Sequence, residues 1–275
     1  MPYAFQQEEP IAAGVRRVAD EQIVRARGQL TDAKAAREKR VHDARKRFKE
    51  TRALLRLVRG PLGEQFAFEN AWFRDAGREL AGVRDADAVL EALEKLALPR
   101  RLHNRLKKTL TARRVDVDLD QLIARTLEQL ALAQARAALW PDMDDAFATL
   151  AAGLARTYRE GRRARKHAHS DEQLHEWRKH VKTHWYHAQL LRHVWPAMMK
   201  PYAAVLEELS RALGDHHDLH VLRASVPDAP PELLDAIDTR QRELERQANE
   251  IGKRVYAERP RAFVARIETW WAAWR

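Results

Sequence analysis

Two stretches of the chain carry nearly the same cationic series. Val41-His42-Asp43-Ala44-Arg45-Lys46-Arg47-Phe48-Lys49 matches Leu174-His175-Glu176-Trp177-Arg178-Lys179-His180-Val181-Lys182 at a constant offset of 133 residues. Imidazole, guanidinium and ammonium groups in such a series offer positive charge and hydrogen-bond donors together, the chemistry that holds phosphate oxygens. A second group of cations, Arg156, Arg159, Arg162 and Arg163, precedes the later copy, and Arg16 and Arg17 precede the earlier one. The histidines offer rival chemistry. His180, His184 and His187 are spaced i, i+4 and i+7, and His216, His217, Asp218 and His220 lie close together, so a metal-dependent phosphohydrolase built on the C-terminal half is an enzyme-class alternative. Cysteine is absent, which removes thiolate nucleophiles, disulfides and Cys-based metal motifs. The chain also has no G-x-x-x-x-G-K loop, which argues against a P-loop kinase or ATPase.

The elements that must position these groups are helices. Ala, Leu, Arg and Glu dominate, apolar spacings of three and four recur, and no sustained period-two alternation is found. Breaks are expected at Gly60-Pro61, Pro99, 116 to 120, Trp140-Pro141, His169-Ser170-Asp171, Trp195-Pro196, Asp228 to Pro231 and Pro260, giving roughly nine or ten helices in an all-α fold. On a helix advancing about 100° per residue, His42, Arg45, Lys49, Arg52 and Arg56 fall within about 80° of one another. Val41, Ala44, Phe48, Leu55 and Val58 form a second stripe roughly 90° away, so the basic row adjoins the core face. Between Lys34 and Arg59 there are eleven Lys or Arg but only three acids. Like charges left unscreened at i, i+4 destabilise a helix, so an anion is expected on that face.

The offset of 133 also carries Leu80 onto Leu213 and Asp85 onto Asp218, while Ala12-Ala13-Gly14 echoes Ala151-Ala152-Gly153 at an offset of 139. Two homologous helical halves are expected, roughly 10 to 130 and 140 to 275, related by a pseudo-twofold axis. Such an axis would bring the two basic stripes together around a shared groove or channel.

A formal net charge of +10 favours polyanionic partners or anionic membrane surfaces. The first ten residues lack the regions of a secretory signal, and the longest uncharged stretch, Ala146 to Ala155, is about half a membrane span. A soluble cytoplasmic protein with no membrane partner is therefore expected. Duplex DNA competes within the binding class, because a basic groove meets its backbone by the same physics, although no helix-turn-helix or zinc-finger signature supports base reading. Trp270, Trp271 and Trp274, with Phe263 and Ile267, give the last helix an apolar face that could dock on the bundle, pair with a second protomer, or contact a hydrophobic granule.

The paired His-xx-Arg-Lys signatures, the Arg84-Asp85 and His217-Asp218 turns, and the Arg156 to Arg163 helix resemble the CHAD domain. The resemblance implies a single domain over 1 to 275, with two pseudo-symmetric helical bundles around a basic cavity that binds inorganic polyphosphate without catalysis or a cofactor. Carried over by motif position, the implied ligands are His42, Arg45, Lys46, Lys49 and Arg52 with His175, Arg178, Lys179 and Lys182. Arg16, Arg17, Arg156, Arg159, Arg162 and Arg163 are the implied flanking contributors. Many relatives carry a CYTH-type triphosphate-processing domain ahead of this one, for which this chain has no room. Trp185 replaces the cation at Arg52, and His180 and His217 replace Arg47 and Arg84. Those histidines predict that polyphosphate binding tightens as pH falls from about 8 to 6. Association with polyphosphate or polyester granules is a further expectation.

Overall fold

The computed structural model describes residues 3–81, 85–112 and 119–275, with side chains described except at 85–87. The described residues form twelve helices and no strand, an all-α fold. The first half contains α1 (Ile11–Thr31), α2 (Arg37–Leu57), the single turn α3 (Arg59–Leu62), α4 (Gln65–Glu79), α5 (Asp85–Glu94), α6 (Arg100–Ala112) and α7 (Leu119–Ala138). The second contains α8 (Ala148–Lys166), α9 (Asp171–Leu190), α10 (Pro196–Ser225), α11 (Pro231–Val255) and α12 (Pro260–Trp274).

The excess over nine or ten helices arises at three places, the first being the break at 32 to 36 between α1 and α2, which no Gly or Pro signal marks. Gly60-Pro61 does not simply end a helix: the chain makes one further turn, α3, and then reverses at Gly63, whose φ of 53° lies in the left-handed region that favours glycine. Near residue 80 the first half is divided into α4 and α5, whereas the matching stretch of the second half runs through as the single helix α10. Of the matched turn at 80 to 85, residues 82–84 lie outside the described residues, as does 113–118, which includes most of the expected break at 116 to 120. The remaining breaks fall between helices. Ser170 caps α9 with a reciprocal capping box through Gln173, and Pro196, Pro231 and Pro260 open α10, α11 and α12, where the missing N–H costs nothing.

Helix α2 packs against α1, α4, α8 and α9, and α9 against α8, α10 and α2, so the two helices bearing the repeated motif lie side by side at the centre. Their apolar stripes explain this. Val41, Ala44, Phe48, Leu54 and Leu55 on α2, and Leu174, Trp177, Val181 and Leu190 on α9, are fully or almost fully buried. Polar bonds join them as well: the Arg56 guanidinium donates to Thr183 Oγ1 at 2.7 Å, and His187 Nε2 donates to the Ala53 carbonyl at 2.8 Å. The N-terminal segment ties down both helices, with the Tyr3 hydroxyl donating to the Glu50 carbonyl and the Phe5 amide to the Leu190 carbonyl.

Gly153 sets how closely α8 meets the end of α2. A Cβ there would sit 1.9 Å from the Leu57 carbonyl oxygen, so only glycine admits this approach. The tryptophans of α12 are largely accounted for by docking. Helix α12 packs on α8, Trp271 is buried against Phe5 and Phe147, and Trp274 lies edge-on to Trp271. No described helix is long and apolar enough to cross a membrane.

Candidate functional site

The basic row of α2 meets that of α9 across a cleft of about 500 Å³. Helix α2 contributes Arg45, Lys49, Arg52 and Arg56, helix α9 contributes His175, Arg178, Lys179 and Lys182, and helix α4 adds Arg74 and Arg78. Phe48, Phe73 and Tyr186, all nearly buried, lie beneath. Nine Lys or Arg therefore line one cleft, and among the described lining residues none is acidic.

Burial and crowding leave clear marks on these groups. Burial, then the charges of Arg56, Arg74 and Arg78, holds Arg52 down to about 10, while its Nε donates to Asn70 Oδ1 at 3.2 Å. Lys182 is pushed down to about 8, first by burial and then by Arg178 and Lys46. Its ammonium lies 4.2 Å from the centre of the Trp185 ring, so the aromatic that replaces the expected cation supports a neighbouring one. Arg56 is lowered by burial as well. The Nε of Arg178 and the Nδ1 of His175 are buried with no hydrogen-bond partner among the described residues. The unpaired Arg178 donor carries a desolvation penalty that an entering oxyanion would remove, and His175 Nδ1 would add to this in the tautomer that carries its proton.

Of the residues singled out from sequence, the structure brings together Arg45, Lys49, Arg52, His175, Arg178, Lys179 and Lys182. His42 and Lys46 are half-buried on α2 but do not line the cleft, although the Lys46 charge reaches Lys182. The flanking arginines differ from expectation. Arg16 binds the Trp140 carbonyl and Asp142, and Arg17 is held by Glu9, Glu21 and the Ala4 carbonyl, so both anchor the N-terminal segment and the α7–α8 connection instead of facing the cleft. Arg162 donates to the Tyr256 carbonyl, while Arg156, Arg159 and Arg163 are exposed on α8 and do not line the cleft. Arg74 and Arg78 were missed. They lie outside the repeated motif, and the offset of 133 pairs Arg74 with Glu207, so comparing the halves conceals them; their i, i+4 spacing is the signal that could have found them.

The histidines are arranged differently from the metal reading. His184 is buried between the hydroxyls of Tyr202 and Tyr256, His187 bonds to Ala53, and His180 pairs with Glu160 at 3.4 Å. His216 lies against Glu245, and His220 against Asp171. Among the described residues no group of three or more His, Asp or Glu is arranged to hold a metal ion. The expected histidine titration also moves. His217 lies against His175 with ring centres 3.9 Å apart and the planes tilted by 34°, and burial, then the charges of His175 and Arg178, holds it down to about 4. His175 is lowered by burial, then by Lys179 and Arg178. His217 thus stays neutral in the free protein across pH 6 to 8, and Lys182, held at about 8, is a cleft group whose charge changes just above neutrality.

The CHAD domain model matches residues 17–227. The chain belongs to the CHAD family. No curated protein is significantly similar to it. The match ends just beyond α10, so every helix lining the cleft of this CHAD domain lies within it, while α11 and α12 follow it.

Proposed function

We propose that the cleft binds inorganic polyphosphate and does no chemistry on it. The observation that carries this reading is the convergence of nine Lys and Arg side chains from α2, α4 and α9 on one cleft whose described lining holds no carboxylate. Arg45 and Arg56 stand about 16 Å apart along α2, at 1.5 Å per residue, so the cations form a row suited to a linear chain of charges. CHAD domains bind polyphosphate, which agrees with the doubled His-xx-Arg-Lys helices meeting at the cleft. The lining supplies cations and donors, and among its described residues no carboxylate that could hold an attacking water or a divalent ion, which supports a binding role over hydrolysis.

The twin halves fit this function. Helices α2 and α9 occupy equivalent places under the offset of 133, so one motif used twice furnishes two facing walls.

Charge reversal at Arg45→Glu together with Lys49→Glu tests the reading by calorimetry with polyphosphate of defined length. Binding should fall below detection while the helical circular dichroism is unchanged. Retained binding by the folded double variant would overturn the assignment.

A further inference from the structure

Although the described lining holds no acid, two carboxylates pair with its cations, Glu176 with Lys179 on α9 and Asp75 with two arginines on α4. Asp75 on α4 accepts from Arg74 Nε and Nη2, each at 2.8 Å, and lies 3.6 Å from Arg78 Nη1. Both arginines line the cleft. This fork of two parallel N–H···O bonds is the arrangement a guanidinium also offers to a phosphate, so Asp75 occupies donors that a ligand would use. The Arg74 bonds, with the charges of Arg78 and Arg52, hold the Asp75 carboxyl below the usual carboxylate range. The two-arginine fork is not repeated at the matching position of the second half. At the offset of 133, Arg74 becomes Glu207 and Asp75 becomes Glu208, and Glu208 accepts from Gln247.

Resting on the polyphosphate reading, we propose that Asp75 is a specificity-determining residue, an internal anion that a ligand must displace to engage Arg74 and Arg78. Condensed phosphates share bridging oxygens and set charges side by side, so several oxyanions compete for the fork at once. Phosphodiesters separated by sugars present one charge at a time and compete poorly. The carboxylate therefore raises the threshold for nucleic acid more than for polyphosphate.

The test compares wild type, Asp75→Asn and Asp75→Glu for binding of linear polyphosphate and of a single-stranded oligodeoxynucleotide with the same number of phosphates, at one ionic strength. Asp75→Asn should bind the oligonucleotide roughly two- to fivefold tighter, the range expected for releasing exposed ion pairs, with a smaller gain for polyphosphate. Asp75→Glu should keep the wild-type ratio, and adding Arg74→Ala to Asp75→Asn should remove the gain. Unchanged or weaker oligonucleotide binding by Asp75→Asn would overturn the proposal, as would equal gains for both ligands. If wild type fails to bind polyphosphate, the reading of the cleft falls, whereas the oligonucleotide arm still reports on Asp75.

Discussion

Lys182 should make the affinity of the cleft for polyphosphate depend on pH in a predictable window. Its ammonium is held at about 8, against 10.5 for an ordinary lysine, chiefly by burial and then by Arg178 and Lys46. The charged form is the one that attracts an oxyanion, and it is the form present below the pKa. At pH 7 about nine-tenths of the free protein carries this charge, and at pH 9 about one-tenth. If the bound anion keeps Lys182 protonated, binding at pH 9 requires proton uptake and should be about tenfold weaker than at pH 7, or about 1.4 kcal/mol. Arg52, held at about 10, still carries most of its charge at pH 9. Calorimetry with polyphosphate at pH 7, 8 and 9, in buffers of differing ionisation enthalpy, reads both the affinity and the proton taken up. Lys182→Arg supplies the control, because a guanidinium should remain charged over this range and flatten the decline. Constant wild-type affinity from pH 7 to 9, or an equal decline in Lys182→Arg, would refute the reasoning.

Salt should weaken binding steeply. Of the nine lining cations, Arg74, Arg78 and Lys179 already pair with Asp75 or Glu176, so six to nine phosphate contacts predict a slope of log K against log salt of about −4 to −6. A slope shallower than about −2, measured by titration at several salt concentrations, would show that most of these cations do not touch the ligand. Gly153→Ala should destabilise the fold by about 3 kcal/mol, since the new methyl would meet the Leu57 backbone 1.9 Å away and neither helix can yield without repacking. Thermal denaturation should show a fall of several degrees, and an unchanged midpoint would mean that the approach of α8 to α2 is looser than the structure shows.

The central pair of helices was legible because one sequence pattern encodes both packing and charge. On α2 the apolar row and the cationic row are adjacent, so burying Val41, Ala44 and Phe48 also directs Arg45, Lys49 and Arg52 toward the neighbouring helix. The third wall was not legible in the same way. Arg74 and Arg78 reach the cleft only because α4 packs on α2, a tertiary fact that no motif on α4 announces. The flanking arginines stand away from the cleft for a different reason. The resemblance implies Arg16, Arg17 and Arg162 as contributors, but guanidinium groups also cap carbonyls and pair with carboxylates, and only the folded chain shows Trp140, Glu9 and Tyr256 within reach. The histidines show how burial overrides composition. His180 and His217 in place of Arg47 and Arg84 predict pH sensing between 6 and 8, whereas enclosure holds His217 at about 4, as it holds His187 at about 4 and His184 at about 3.

These displaced values also show what the unliganded cleft costs the fold. Lys182 binds fewer protons in the native state than in the unfolded chain between about pH 8 and 10.5, so its contribution to stability rises with pH across that window. Arg52 and Arg56 are lowered in the same direction, each first by burial. Three cations on two central helices thus oppose folding while they carry charge, and the buried apolar rows of α2 and α9 must offset them. An anion in the cleft would reduce that opposition, because it would supply countercharge where the donors already stand. Part of the affinity for a polyanion is then relief of repulsion present in the free protein. By the same linkage, substitutions that neutralise Arg52 or Lys182 should weaken binding while making the unliganded protein more stable at neutral pH, a combination that loss of packing would not produce.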